Sequence, residues 1–146
     1  MKKLTFLLSA GILFMLLATI GCGSDDGGPT EEEQQTAKLI GVWTATTVND
    51  GTVRDDYDDF TITFTQSTYS TTGGPEGDKA LPFQNSGSWS LGTPVTSSIS
   101  LSSQPMTYGI VDDVLTITFT YNGDGFPGNA KTANVNGDWT FVFEKN

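Results

Sequence analysis

From residue 41 onward, apolar and polar positions alternate along most of the chain. Phe60, Ile62 and Phe64 alternate with Thr61, Thr63 and Thr65, and Leu115, Ile117, Phe119 and Tyr121 with Thr116, Thr118 and Thr120. Ile99 and Leu101 are flanked by Ser98, Ser100 and Ser102; Met106, Tyr108 and Ile110 by Thr107 and Gly109; Trp139, Phe141 and Phe143 by Thr140, Val142 and Glu144. A period of two puts apolar side chains on one face and hydroxyls on the other, the pattern of antiparallel strands with one wet face. Turn signals separate the runs: Asn49-Asp50-Gly51, Gly73-Gly74-Pro75, Gly92-Thr93-Pro94, Asp112-Asp113 and the stretch from Asn122 to Gly128. The pattern predicts strands over 41–48, 58–66, 67–72, 85–91, 96–103, 105–111, 113–121 and 137–144. Eight short strands without crossover helices imply an all-β, antiparallel up-and-down meander. Closing it into a barrel removes exposed edges and leaves an interior just wide enough for side chains or one small ligand.

A short helix precedes the strands. Thr30-Glu31-Glu32-Glu33 has the form of a capping box, in which Thr30 accepts from the backbone of Glu33 and Glu33 reaches back. The acidic first turn and Lys38 suit the two ends of the helix dipole, and Gly41 can stop the helix. Residues 31–39 are therefore expected to form two turns that deliver the chain into the first strand.

Ahead of the helix the chain carries an address. Lys2 and Lys3 precede an apolar run from Leu4 to Ile20, which ends in Gly21-Cys22. About 20 apolar residues can span a bilayer, but the terminal basic pair, the small residue and the immediate cysteine argue for a processed signal. Thr19-Ile20-Gly21-Cys22 resembles the lipobox of bacterial lipoproteins, with Thr19 in place of the usual aliphatic residue. The resemblance implies cleavage before Cys22, acylation of Cys22 and anchoring at the outer membrane. Residues 22–30 form a Gly/Ser/Asp tether, and Ser24-Asp25-Asp26 resembles the segment that accompanies surface export in lipoproteins of Bacteroidota-type bacteria. The expected organisation is a signal peptide at 1–21, a tether at 22–30 and a β-barrel domain at 31–146.

Composition removes whole classes of function. The 146 residues include 17 acidic and 7 basic ones, a formal charge of −10, with no histidine and one cysteine. Without histidine there is no Ser-His-Asp triad, no imidazole base and no His-based zinc site. One cysteine allows neither an internal disulfide nor a cysteine-cluster metal site. Loss of Lys2 and Lys3 would take the charge from −10 to −12, so neither nucleic acid nor an anionic leaflet attracts the domain. Acyl chains, each CH₂ contributing about 0.8 kcal/mol, would supply the hold instead. The acids fall mostly in turns and tether, where they stay ionised; no catalytic residue and no cofactor are expected.

Leu39-Ile40-Gly41-Val42-Trp43 resembles the Gly-x-Trp signature that opens the first strand of lipocalins. Together with Phe60 to Phe64, Gly87-Ser88-Trp89 and the closing Phe141-Val142-Phe143-Glu144-Lys145, it is similar to the lipocalin-like lipoproteins of Bacteroidota over residues 37–146. That resemblance implies that Trp43 packs at the closed end of the barrel, where the helix plugs the base. The family's Thr-Asp-Tyr turn and its Arg over the first Trp are not evident, and Lys145 can cover Trp43 by a cation–π contact instead. All three tryptophans follow a glycine by two residues, at 41–43, 87–89 and 137–139. Poor flanking similarity favours convergent packing over an internal repeat.

Candidate sites follow from the inward face. Trp43, Phe60, Phe64, Trp89, Tyr108, Phe119 and Phe141 either line a pocket for an acyl chain or sterol or fill the barrel themselves. Asp55-Asp56-Tyr57-Asp58-Asp59 could offer oxygens to calcium but lacks the spaced pattern of a calcium loop, and reads better as a solvated charge cluster. Tyr69, Phe83 and Phe126 read as exposed loop aromatics able to stack on sugar rings. Two functions compete: a lipid-anchored binder of a small apolar ligand, and a surface scaffold whose loops contact a protein or glycan partner.

Overall fold

The computed structural model describes residues 27–75, 81–126 and 135–146. Helix α1 (Glu31–Leu39) has the expected capping box: Glu33 N donates to Thr30 Oγ1 at 3.2 Å, and Thr30 N donates to Glu33 Oε2 at 2.7 Å. Eight strands follow, β1 (Gly41–Asn49), β2 (Thr61–Phe64), β3 (Thr68–Thr72), β4 (Ser86–Leu91), β5 (Ser98–Leu101), β6 (Gln104–Val111), β7 (Val114–Tyr121) and β8 (Gly137–Lys145). They pair in chain order, all antiparallel, and β8 closes on β1. The molecule is an eight-stranded up-and-down barrel with no open sheet edge among these strands.

Two predicted strands are shorter than expected. The second begins at Thr61 rather than residue 58, because Asp55–Tyr57 wind into a 3-10 turn. The fifth occupies only Ser98–Leu101, since residues 95–97 turn and Ser102 and Ser103 take φ of 48° and 70° to make a tight reversal. β1 carries a bulge between Ala45 and Thr47, which shifts its register against β8.

Inward residues form rows across neighbouring strands. Ala45, Phe143, Leu115 and Ile110 make one, and Val48, Phe141, Ile117 and Tyr108 the next. Outward residues form hydroxyl rows, such as Ser98, Thr107, Thr118 and Thr140 across β5 to β8. The two ends differ. At the base, α1 leads into β1 and the β2–β3 and β6–β7 connections are short. At the mouth lie the β1–β2 connection and the described parts of the long β3–β4 and β7–β8 connections. Leu81 and Phe126 bridge the last two through paired backbone hydrogen bonds.

Candidate functional site

The base is a sealed junction. Trp43 is fully buried and its Nε1 donates to Leu39 O at 2.7 Å. Lys145 Nζ lies 5.0 Å from the Trp43 ring centroid and donates to Lys38 O at 2.8 Å. Lys145 thus covers the tryptophan, as expected from the sequence, and also ties β8 to the end of α1. Such a cation over an indole contributes about 0.5–1 kcal/mol near a surface.

The mouth is built differently, from wall residues and loop residues together. Phe119, Trp139 and Phe141 project from β7 and β8, and Phe119 and Trp139 stand opposite each other across the strand pair. Their rings stack on Phe141, with centroids 6.1 Å and 5.7 Å away. Phe60, just before β2, meets Phe141 at 5.8 Å. Two further aromatics come down from connections. Tyr57, at the end of the 3-10 turn, packs edge-on against Phe60 and Phe141, at 5.4 Å each, and against Trp139 at 5.9 Å. Phe83 approaches Phe60, Phe119 and Phe141 at 5.9, 5.9 and 5.4 Å.

Arg54 clamps this arrangement from outside. Its guanidinium carbon lies 5.1 Å from the Trp139 centroid and 5.4 Å from that of Tyr57. Its Nε and Nη2 donate to the two Asp56 oxygens at 2.9 Å each, and Nη1 donates to Asp50 Oδ2 at 2.5 Å. The fork geometry of arginine makes this double engagement possible. Hydrogen bonds to Asp56 dominate in raising the Arg54 pKa; burial opposes them, and Asp50 reinforces them. For Asp50, burial works against ionisation, but hydrogen bonds from Arg54 and Thr52 outweigh it and hold the pKa below the ordinary value.

Tyr57 stands apart from the other buried polar aromatics. It is 1 % exposed, and its hydroxyl has no hydrogen-bond partner. Burial pushes its pKa well above the usual tyrosine value; the Arg54 charge opposes this, and Asp56 and Asp50 add to it. Elsewhere the polar tips are satisfied. Trp139 donates to Val135 O at 2.8 Å, Trp89 to Thr65 O at 3.0 Å and Tyr69 to Gln84 O at 2.9 Å. Tyr108 donates to Val95 O.

The seven interior candidates are all buried in one hydrophobic core, at different heights in the barrel. Phe60, Phe119 and Phe141 belong to the mouth, and Trp43 to the base. Phe64 meets Tyr69 and Trp89 on β2 to β4, at 6.5 and 5.5 Å. Tyr108 lies on β6 in the row of Ile117 and Phe141. Cys22 and the signal segment lie outside the described residues.

Three expectations need correction. Tyr69 and Phe83 are not exposed loop aromatics; both are 2 % exposed, one on a strand and one at the mouth. Phe126 is half-buried and packs on Tyr121 at 6.1 Å. The Asp55–Asp59 segment is not merely a solvated cluster. Asp56 binds Arg54 and Tyr57 enters the core, whereas Asp55, Asp58 and Asp59 are exposed. Among the described residues, no group of three or more acidic, cysteine or histidine side chains is arranged to hold a metal ion.

Sequence reasoning missed Arg54 and the structural role of Tyr57. The available signal was an arginine three residues before the only aromatic in an acidic run. No family model, no curated protein and no solved structure matches the chain.

Proposed function

We propose that the chain is a lipid-anchored, non-catalytic binding protein of the outer envelope, held through an acylated Cys22, whose barrel takes a small apolar ligand at its mouth. The observation that carries this reading is the make-up of the mouth. Its aromatic lining is completed by Tyr57 and Phe83, which come from connections and not from the wall. Side chains on connections can move aside at far lower cost than side chains on paired strands. The anchor would hold the barrel at the membrane, from which apolar molecules partition. The absence of histidine and the exposure of most loop carboxylates support binding rather than catalysis.

A second reading has its own support. Phe141 stacks on Phe143 at 5.9 Å as well as on Phe119 and Trp139, so the aromatics fill space that a ligand would need. A shallow concavity of about 510 Å³ over β5 to β8 is lined by the hydroxyl row with Thr120 and Asp138, and also by Pro105, Met106, Phe119 and Trp139. A filled scaffold that contacts a glycan or protein partner would use such a surface.

One experiment addresses both parts of the first reading. Cells expressing the full chain or its Cys22→Ala variant are fed an alkyne-tagged fatty acid, and envelopes are then exposed to a photoactivatable alkane. Acyl label on the wild type alone, and alkane crosslinks on mouth peptides, are expected. Acylation without mouth crosslinks would favour the filled scaffold, and an unmodified Cys22 would remove the anchor.

A further inference from the structure

Six tryptophan and tyrosine side chains are buried in the barrel, and five of them have hydrogen-bond partners for their polar tips. The sixth, Tyr57, has none, and its hydroxyl is the sole such buried side-chain atom among the described residues. Buried polar groups are paired so consistently in folded proteins that an exception calls for a reason. This exception lies where two loop-borne aromatics meet the wall. Tyr57 and Phe83 both rest on Phe60 and Phe141.

We infer that Tyr57 is the polar contact for the ligand, and that the ligand is a largely apolar molecule with one neutral hydroxyl or carbonyl group. This rests on the reading of the barrel as an apolar-ligand binder. The apolar body would lie against Phe60, Phe119 and Phe141 in place of the Phe83 ring. The neutral group would meet the Tyr57 hydroxyl, which can donate or accept.

The charges of the described mouth residues weigh against a carboxylate. Arg54, the cation at the mouth among the described residues, already binds both Asp50 and Asp56, so this trio carries a net charge of −1. Asp55, Asp58 and Asp59 flank Tyr57 on the same connection and add negative potential. An anionic head would enter that field without a free cation among the described mouth residues to receive it, and would lose its hydration as it entered. A hydroxyl, ketone or ester loses much less.

The test uses the full chain in isolated envelopes and three probes of equal chain length with a mid-chain diazirine: an alkane, a primary alcohol and a carboxylic acid. Crosslinked peptides are quantified by mass spectrometry. The alcohol is expected to label the peptides carrying Phe60, Phe83 and Phe119 roughly three- to tenfold more than the alkane, the span of one neutral hydrogen bond. The acid is expected to label them least. Tyr57→Phe should bring the alcohol down to the level of the alkane, leave alkane labelling unchanged, and melt no lower than the wild type. Tyr69→Phe, which removes a hydroxyl that already has partners, should preserve the alcohol-to-alkane ratio. Alkane labelling with no alcohol preference, an acid preference, or an alcohol preference that survives Tyr57→Phe would overturn the inference and leave the apolar-ligand reading standing. No mouth labelling by any probe would overturn both.

Discussion

Trp43 and Trp139 stand at opposite ends of the barrel and make the same contact. Each donates its indole N–H to the carbonyl four residues upstream, Leu39 O at 2.7 Å and Val135 O at 2.8 Å. Each follows a glycine with φ near +140°, Gly41 and Gly137, at the first position of its strand. Each lies under a cation about one ring-width away, Lys145 at 5.0 Å and Arg54 at 5.1 Å. Antiparallel pairing of β1 with β8 sends the two devices to opposite ends. The glycine turns the chain so that the following tryptophan can face inward while its N–H reaches back, which satisfies a buried donor locally. Trp89 does not share the arrangement: its indole reaches Thr65 O, on another segment.

The glycine requirement can be isolated. A Cβ added at Gly137 would meet nothing within 4 Å, and the same holds at Gly109. Only Gly137 has a φ, +140°, that side chains rarely adopt. Gly137→Ala is expected to destabilise the barrel by about 1–3 kcal/mol, the cost of a residue held in such a region, and Gly109→Ala by far less. Urea titration of the two variants measures this, and equal midpoints would show that strand-start geometry is not set by the glycine.

Removing the indole at the base should cost more. Trp43→Ala is expected to lose about 3–5 kcal/mol, as large aromatics lost from cores do. Val111→Ala, at a side chain that is 70 % exposed, should stay within roughly 0.5 kcal/mol. Lys145→Met should fall between them, because it removes both the cation over the ring and the bond to Lys38 O. A Lys145→Met variant as stable as the wild type would reduce the contact to a coincidence of position.

Why so much of this barrel was legible lies in its strands. Period-two alternation of large apolar side chains with smaller or polar ones survives in β2 and β5 to β8, so these strands and their inward faces could be read, whereas the bulge between Ala45 and Thr47 breaks it in β1. The helix was legible from Thr30 and Glu33 alone, because capping is a local interaction. The mouth was not, since it depends on connections. Tyr57 is surrounded in sequence by four aspartates, which mark it as solvent-facing. It reaches the core where Arg54 pairs with both Asp50 and Asp56 and covers the Tyr57 ring, at the point where the chain turns inward. Phe83 was hidden for a similar reason: no periodicity marks a single aromatic in a loop, and only the position of Phe141 explains where it goes.

The Arg54 clamp should make stability sensitive to acid. Asp50 has a folded-state pKa below its ordinary value of 3.8, so its contribution is complete above that value. The contribution is lost as pH falls through the lower, folded value. Arg54→Met removes the partner, and with it the cation over Trp139 and Tyr57, a contact of about 0.5–2 kcal/mol. The variant should melt lower at pH 7, and its deficit should shrink as pH approaches 2. A constant deficit from pH 7 to pH 2 would place the effect in packing alone.

Tyr57→Phe should do the opposite and stabilise the protein. A buried hydroxyl without a partner costs about 1–3 kcal/mol relative to an apolar group of the same shape, and phenylalanine keeps the ring contacts with Phe60, Trp139 and Phe141. The alkaline limb carries a second signature. Burial raises the Tyr57 pKa in the folded state above its ordinary value of 10.0, so the unfolded chain releases that proton first. The stability tied to the neutral phenol is therefore complete below about pH 10 and declines as pH climbs above it towards the folded value. Tyr57→Phe removes this dependence, so its melting temperature should exceed that of the wild type at pH 7 by a margin that widens above pH 10. Some alkaline loss should remain, because burial also raises Tyr69 and Tyr108. Thermal melts between pH 7 and pH 11 measure both effects. A Tyr57→Phe variant that melted below the wild type at pH 7 would show that the hydroxyl holds the folded barrel together, contrary to its unpartnered position.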